Sequence, residues 1–389
     1  MKLRLTKITL FEYIAVALVL LTSGTCVWYH ELTPAIACFV YLIFAIYYRI
    51  HHPIGPLIGF TSLYLFLSYI FILISFCFHP LLADNQALGF IFQSLGSYLI
   101  LSNISYRAFI RKYLKLVFLM CVYAIPIYFL IEYEVSPFPI IERGPFWSCM
   151  GFTVGWYSGL FHRFAGFYHE PGACQIILNL ALILYINDIR SWNLSKSEKL
   201  ELLVILTGVI LTKSTGAYLT LLVILLCCFI DKIKSRLFLP VFVVMSLCIY
   251  GIWISDVVQD KLYKENGDSV SLMMRQADNL AMLRMTLEEP WTGWGLGSAD
   301  HLKRSDAVGN ISNSNGILYM TSSVGIPWFI LFVFFLLMGI YGLGFRNISL
   351  LFVLLAFLML ESNERFIECP VSYILLFLSR KENFKSKLL

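Results

Sequence analysis

Charge is what this sequence most lacks. Only 14% of its 389 residues are Asp, Glu, Lys or Arg, against about 25% in an average soluble chain, while 59% are apolar. So few charges cannot cover a water-facing surface, and secreted, nucleic-acid-binding and disordered readings drop out together. The net charge of +5 is small and informative only through its placement. No C-x-x-C occurs among the ten cysteines, which removes a metal site or redox pair of that kind. Most cysteines, such as Cys38, Cys121 and Cys227, lie in apolar runs, where a thiol is a small hydrophobe. Cys149 and Cys369 fall in segments expected outside the cytoplasm, where pairing is open to them.

What is abundant is the charge-free run. A spanning helix needs about 17–25 mostly apolar residues, because about 30 Å of hydrocarbon is crossed at 1.5 Å per residue. Such runs lie near 8–29, 32–48, 54–78, 87–102, 114–133, 172–187, 200–212, 216–230, 237–254, 315–345, 348–361 and 370–379. The first exceeds a signal-peptide core and lacks a small-residue cleavage site, so it reads as an anchor. With a cytoplasmic N-terminus, alternate connections carry 19 of the 29 Lys and Arg residues. The expectation is a single integral membrane domain over 1–389: an all-α, polytopic bundle of about twelve spans with both ends cytoplasmic. Residues 200–230 are read as two short passes broken at Lys213-Ser214-Thr215-Gly216, where a charge, two N-cap formers and a glycine coincide.

The threading leaves two long loops outside, 135–171 and 255–313, expected to hold short helices, and every inner connection is too short for a catalytic domain. The first loop ends Phe161-His162-Arg163-Phe164-Ala165-Gly166-Phe167-Tyr168-His169-Glu170-Pro171-Gly172 and runs into a helix. Pro171 suits a first helical position, and Glu170 then sits at the positive end of the helix dipole. The second loop holds an amphipathic helix, Val270 to Glu289, ended by Pro290. Gly293, Gly295 and Gly297 follow, and then Asn310-Ile311-Ser312-Asn313-Ser314-Asn315 leads into the next span. No strand precedes the glycines, so a dinucleotide site is unsupported; they serve turns or close backbone approach. Loop one is neutral, and loop two carries six basic against nine acidic residues. An anionic ligand must therefore be held by a few individually placed arginines.

Taken together, these strings resemble the O-antigen and capsule polymerase (Wzy) family, which is related to the O-antigen ligases. The resemblance is carried by R-x-x-G-x-x-x-E-P-G at Arg163, Gly166, Glu170, Pro171 and Gly172, by the break at Ser214 to Gly216, and by P-x-x-G-x-G-x-G from Pro290. Arg284 and Gly295 match the R-x10-G spacing described for some members, whereas Arg143 and Gly155 in the first loop stand one residue too far apart. The resemblance implies a bacterial inner-membrane enzyme that moves an undecaprenyl-diphosphate-linked glycan onto the next lipid-linked repeat at the periplasmic face. Its partners would be lipid-linked oligosaccharide, membrane lipid, and a chain-length regulator and flippase of the same pathway, with no nucleic acid. The departing diphosphate needs fixed cations or helix N-termini. Arg163, Arg275 and Arg284 are offered for this, with Ser214 and Thr215 as helpers and Gly295 and Asn313 as further substrate contacts. The acceptor hydroxyl needs a base, for which Glu170 is first choice and His169 second. No D-x-D appears, in keeping with a donor that is not a sugar nucleotide and with no metal or other cofactor.

Helix geometry sharpens one assignment. At 100° per residue, Arg284 falls among Leu280, Met273, Ala277 and Leu287, and Arg275 falls on the opposite, polar side. The expectation is that Arg284 reaches from the packing face into the reaction cavity and holds the lipid diphosphate; the plainer reading is a salt bridge to Glu170 or Glu361, or a snorkelling side chain. Three rival functions remain. A ligase places a histidine just before the span after the second loop, where this chain reads Ser312-Asn313-Ser314-Asn315 and the nearest histidine is His301. A lipid-linked oligosaccharide flippase would use a broken helix such as 200–230, but no second break matches it in the other half. A purely structural membrane protein is disfavoured by arginines in apolar surroundings.

Overall fold

The structure, a computed structural model, describes residues 7–25, 33–52, 59–133, 135, 140–143, 146–149, 152–158, 161–191, 193–229, 250, 269–309 and 315–378. The chain divides into two compact units. One comprises Met1–Lys112, Met274–Phe345 and Glu364–Leu389, the other Tyr113–Met273 and Arg346–Asn363.

The first unit is built on α1 (Lys7–Leu21), α2 (Thr33–His51), α3 (Phe60–Phe78) and α4 (Gln86–Leu101). It also holds most of α9 (Ser269–Glu288), then α10 (Ala299–Ala307), α11 (Gly316–Val324) and α12 (Ile326–Gly342). A 3-10 turn at Pro370–Tyr373 and α14 (Ile374–Phe377) complete it. Glycine lets α2 and α4 approach closely: a Cβ at Gly96 would lie 2.6 Å from the Tyr41 ring, whose hydroxyl meets Ser97 Oγ at 3.1 Å. The outward side of α3 is apolar, with Phe66 62% and Leu73 63% exposed. A helix so dressed has hydrocarbon, not water, as its solvent.

At one end of this unit three connections meet. Ala83 N–H donates to Gly297 O at 2.9 Å, Leu82 bridges Ser298, and Arg365 donates to Gln86 at 2.7 Å from the 364–369 segment. At the other end Arg49 binds Asn103, and Lys112 pairs with Glu12 at 2.7 Å.

The second unit centres on α6 (Pro171–Ser191), which is buried on all sides from Pro171 to Ile186. Around it are most of α5 (Tyr106–Glu132), α7 (Lys196–Leu211), α8 (Thr215–Phe229) and α13 (Asn347–Asn363). A helix apolar all round belongs in a core, and α6 occupies one. Its polar exceptions, Gln175 and Asn179, bond to each other at 3.1 Å. Lys115–Glu201 at 3.1 Å ties α5 to α7.

The first long loop departs from expectation. In place of short helices it forms a four-stranded antiparallel meander: β1 (Ile140–Arg143), β2 (Phe146–Cys149), β3 (Phe152–Ser158) and β4 (Phe161–Phe164). The pairs Arg143↔Phe146, Cys149↔Phe152 and Ser158↔Phe161 leave two residues for each connection, the shortest hairpin spacing. Aromatic and β-branched residues such as Phe152, Thr153, Val154, Trp156 and Tyr157 favour the pleated state.

The span list is also amended. Among the described residues three helices are long and apolar enough to cross a bilayer: Phe60–Phe78, Tyr106–Glu132 and Pro171–Ser191. Six shorter apolar helices accompany them, so a count of twelve is not established. The run 315–345 breaks at Gly325 (φ +97) into α11 and α12, and 370–379 yields only a 3-10 turn and one helical turn. Of the run 237–254 only residue 250 is among the described residues. The side chain of Cys149, the expected partner of Cys369, lies outside what the structure describes.

Candidate functional site

In the second unit, the break between α7 and α8 lies where a charge and cap formers interrupt the apolar run. Thr212 caps α7, and Lys213 takes a left-handed φ of +48, unusual for a side chain with a Cβ. Ser214 Oγ accepts from Ala217 N–H at 3.4 Å, restarting the helix. Gly216 leaves room for the Asn363 side chain of α13. A helix end strands carbonyls, and one of them is met from the first loop: Arg163 Nε donates to Thr212 O at 3.1 Å. The structure thus brings together two of the singled-out strings, the arginine of β4 and the Ser214–Thr215 helix start.

Glu170 immediately precedes α6, and its carbonyl accepts from Cys174 N–H at 3.1 Å, as a helix entry requires. Its carboxylate meets His169 Nε2 at 3.2 Å, both side chains being about a quarter exposed. Gly166, at φ +58, lies against Cys174 and Met120, where any Cβ would crowd their sulfurs. The R-x-x-G-x-x-x-E-P-G string is therefore a strand end, a tight left-handed turn and a helix start. On the same loop His162 Nδ1 meets Glu132 at 2.6 Å.

In the first unit the glycines after α9 have a definite task. Trp294 and Gly295 N–H groups donate to Ser322 O and Ser323 O at 2.9 and 2.8 Å, satisfying the last carbonyls of α11. Gly293 presses on the Ser323–Val324 backbone, Gly295 (φ +84) on Ser298 and His79, and Gly297 on Asp84. Gly295 thus acts by letting loop and helix end touch. His79 Nδ1 lies 2.9 Å from Asp300, its ring 5.5 Å from that of Trp294. Nearby, Arg365 stacks 3.6 Å from the centre of the Tyr319 ring and binds Glu368 at 2.7 Å.

The expectation for Arg284 is overturned. Its side chain is 69% exposed and pairs with Glu288, 3.4 Å away and one turn on, rather than with Glu170 or Glu361. Helix α9 packs on the face opposite to the one expected, burying Asp278, Ala281, Met282, Met285 and Thr286 and turning Met273, Leu280, Leu283 and Leu287 outward. The expectation assumed water outside the helix; beside a membrane an aliphatic face has a second apolar medium to enter. Arg275 is committed to Glu364 at 2.9 Å. Asn313 lies outside the described residues, while its neighbour Asn315 caps α11 by accepting from Leu318 N–H at 3.1 Å.

His301 is fully buried, its Nε2 3.3 Å from Ser322 Oγ and its ring edge-on to Tyr319. Burial first, then the neighbouring Arg365 guanidinium and the His79 ring, push its pKa down to about 4, so it is neutral at pH 7.

Sequence reasoning passed over His79, Asp300 and Arg365. The dense charge of Glu364-Arg365-Phe366-Ile367-Glu368 between apolar runs was a usable signal, since charge in such a setting needs a partner. The His79–Asp300 pair, 221 residues apart in sequence, left none.

Residues 201–333, about a third of the chain, match the family model described as O-antigen ligase (Wzy_C). That stretch runs from α7 to the middle of α12, including the helix break and the glycine loop. No significant match is found among curated proteins or among solved structures. The match supports the O-antigen ligase and Wzy-related family, whose members are glycosyl-transferring enzymes acting on lipid-linked polysaccharide at the bacterial inner membrane.

Proposed function

We propose that this chain, carrying an O-antigen-ligase-type domain, is a surface-polysaccharide polymerase that transfers a growing glycan from its polyprenyl diphosphate onto a lipid-linked repeat at the periplasmic face. The observation that carries the reading is the family match over the stretch that holds both the helix break and the glycine loop. Arg163 beside the Ser214–Thr215 helix start combines a guanidinium with a helix N-terminus, the two devices that stabilise a departing diphosphate.

A ligase reading is favoured by the description attached to the family model. Against it, the one histidine near the relevant position, His301, is sealed and neutral, and so is withheld from any acceptor. Deleting the gene and resolving the cell's lipopolysaccharide on a gel separates the readings. Loss of a polymerase leaves core carrying a single repeat, and loss of a ligase leaves bare core. An unchanged ladder would end both readings.

A further inference from the structure

We infer that the proton of the acceptor hydroxyl is taken by His79, oriented by Asp300, and that the Gly293–Gly297 loop exists to hold this pair. The inference rests on the glycan-transfer reading and names its base.

The pair is assembled from distant parts of the chain. His79 follows α3, its N–H bound to Ser75 O at 3.0 Å, and Asp300 lies in the first turn of α10. Neither position is fixed by its own helix alone. Between them runs the glycine loop, whose left-handed residues let its backbone bond α11 on one side and the 81–84 segment on the other. At Gly295 a Cβ would come within 3.1 Å of His79 Cβ and 2.8 Å of Ser298 Cβ, so any larger residue there displaces the imidazole or the cap of α10. Ser298 accepts from His301 N–H at 2.9 Å and thereby sets the turn that presents Asp300.

The hydrogen bond decides the tautomer. An ionised carboxylate only accepts, so at the 2.9 Å contact Nδ1 is the donor, and in the neutral imidazole the lone pair then lies on Nε2. Among the described residues Nε2 has no protein partner, and the side chain is 13% exposed. A carboxylate that orients an imidazole whose far nitrogen is open is the arrangement of a general base. Glu170 is less suited, because its carboxylate is already engaged by His169. In the reaction, Nε2 takes the hydroxyl proton as the acceptor oxygen bonds to the anomeric carbon. The carbon–oxygen bond to the diphosphate breaks, its electron pair leaves with the phosphate, and the imidazolium later returns its proton to water.

The test complements a deletion strain with wild type, His79→Asn, Asp300→Asn and Glu170→Gln, reading polymer made per unit of membrane-inserted protein after a pulse of labelled sugar. Asn keeps a donor near the Nδ1 position for Asp300 but cannot act as a base. Expected is a loss of about 10²–10⁴-fold for His79→Asn at normal protein level, a smaller loss for Asp300→Asn, and a loss under tenfold for Glu170→Gln. A wild-type rate for His79→Asn overturns the assignment by showing the imidazole dispensable, and loss of that variant from the membrane overturns it by making the pair structural. Collapse of Glu170→Gln alone returns the base to Glu170. If deletion itself leaves the ladder unchanged, the transfer reading fails and this assignment falls with it.

Discussion

At the scale of single residues, buried polar groups carry most of the information, and His301 shows how much one of them constrains. Its Nδ1 has no partner among the described residues, so charging it would strand a second donor as well as a cation. With a folded pKa of about 4 against 6.5 unfolded, the unfolded chain binds the extra proton between those values. Stability is therefore complete above about pH 6.5 and falls as pH drops toward 4, by up to about 3 kcal/mol. Thermal unfolding of the detergent-solubilised protein from pH 7.5 to 4.5 should show this slope, and His301→Gln should flatten it. An unchanged slope would assign the acid sensitivity to other groups. His301 was read in the sequence only as a histidine in the wrong place for a ligase. Its burial depends on Tyr319 and Ser322, which no local pattern ties to it.

Elements were legible where their cause is local. The break between α7 and α8 is written in Lys213-Ser214-Thr215-Gly216, and the starts of α6 and α9 fall within one residue of their expected places. The meander of loop one was not expected, although Phe152-Thr153-Val154-Gly155-Trp156-Tyr157-Ser158 is strand-prone. Helix α9 was found but turned the wrong way, since periodicity reports an apolar face and not the medium that face meets. Two substitutions test the observed orientation. Met285 is fully buried and Leu280 is 68% exposed. Met285→Ala should cost about 2–5 kcal/mol and Leu280→Ala under about 0.5 in detergent. The reverse order in thermal unfolding would restore the aliphatic face to the packing side.

Over the whole molecule, the charge-based threading makes a claim that the ion pairs and hydrogen bonds can be held against. It puts the 79–86, 290–301 and 364–369 segments on one side, and within the first unit these bond one another. It puts Arg49, Asn103, Lys112 and Glu12 on the other side, and these pair as well. The second unit repeats the pattern, with Arg163 on Thr212 and Glu132 on His162 at one end and Lys115 on Glu201 at the other. A single error in the alternation inside either unit would have joined segments assigned to opposite sides. The break at Lys213 is what keeps this parity, because one continuous helix from Leu200 to Ile230 would invert everything after it. We therefore expect a membrane-impermeant thiol reagent to modify Lys213→Cys in intact cells and to leave Lys234→Cys untouched until the membrane is opened, in a background where the exposed Cys77 is Ser. Modification at position 234 in intact cells would mean that the chain crosses once, not twice, between Leu200 and Ile230, and would overturn the expectation that the glycine loop and His79 both face the periplasm.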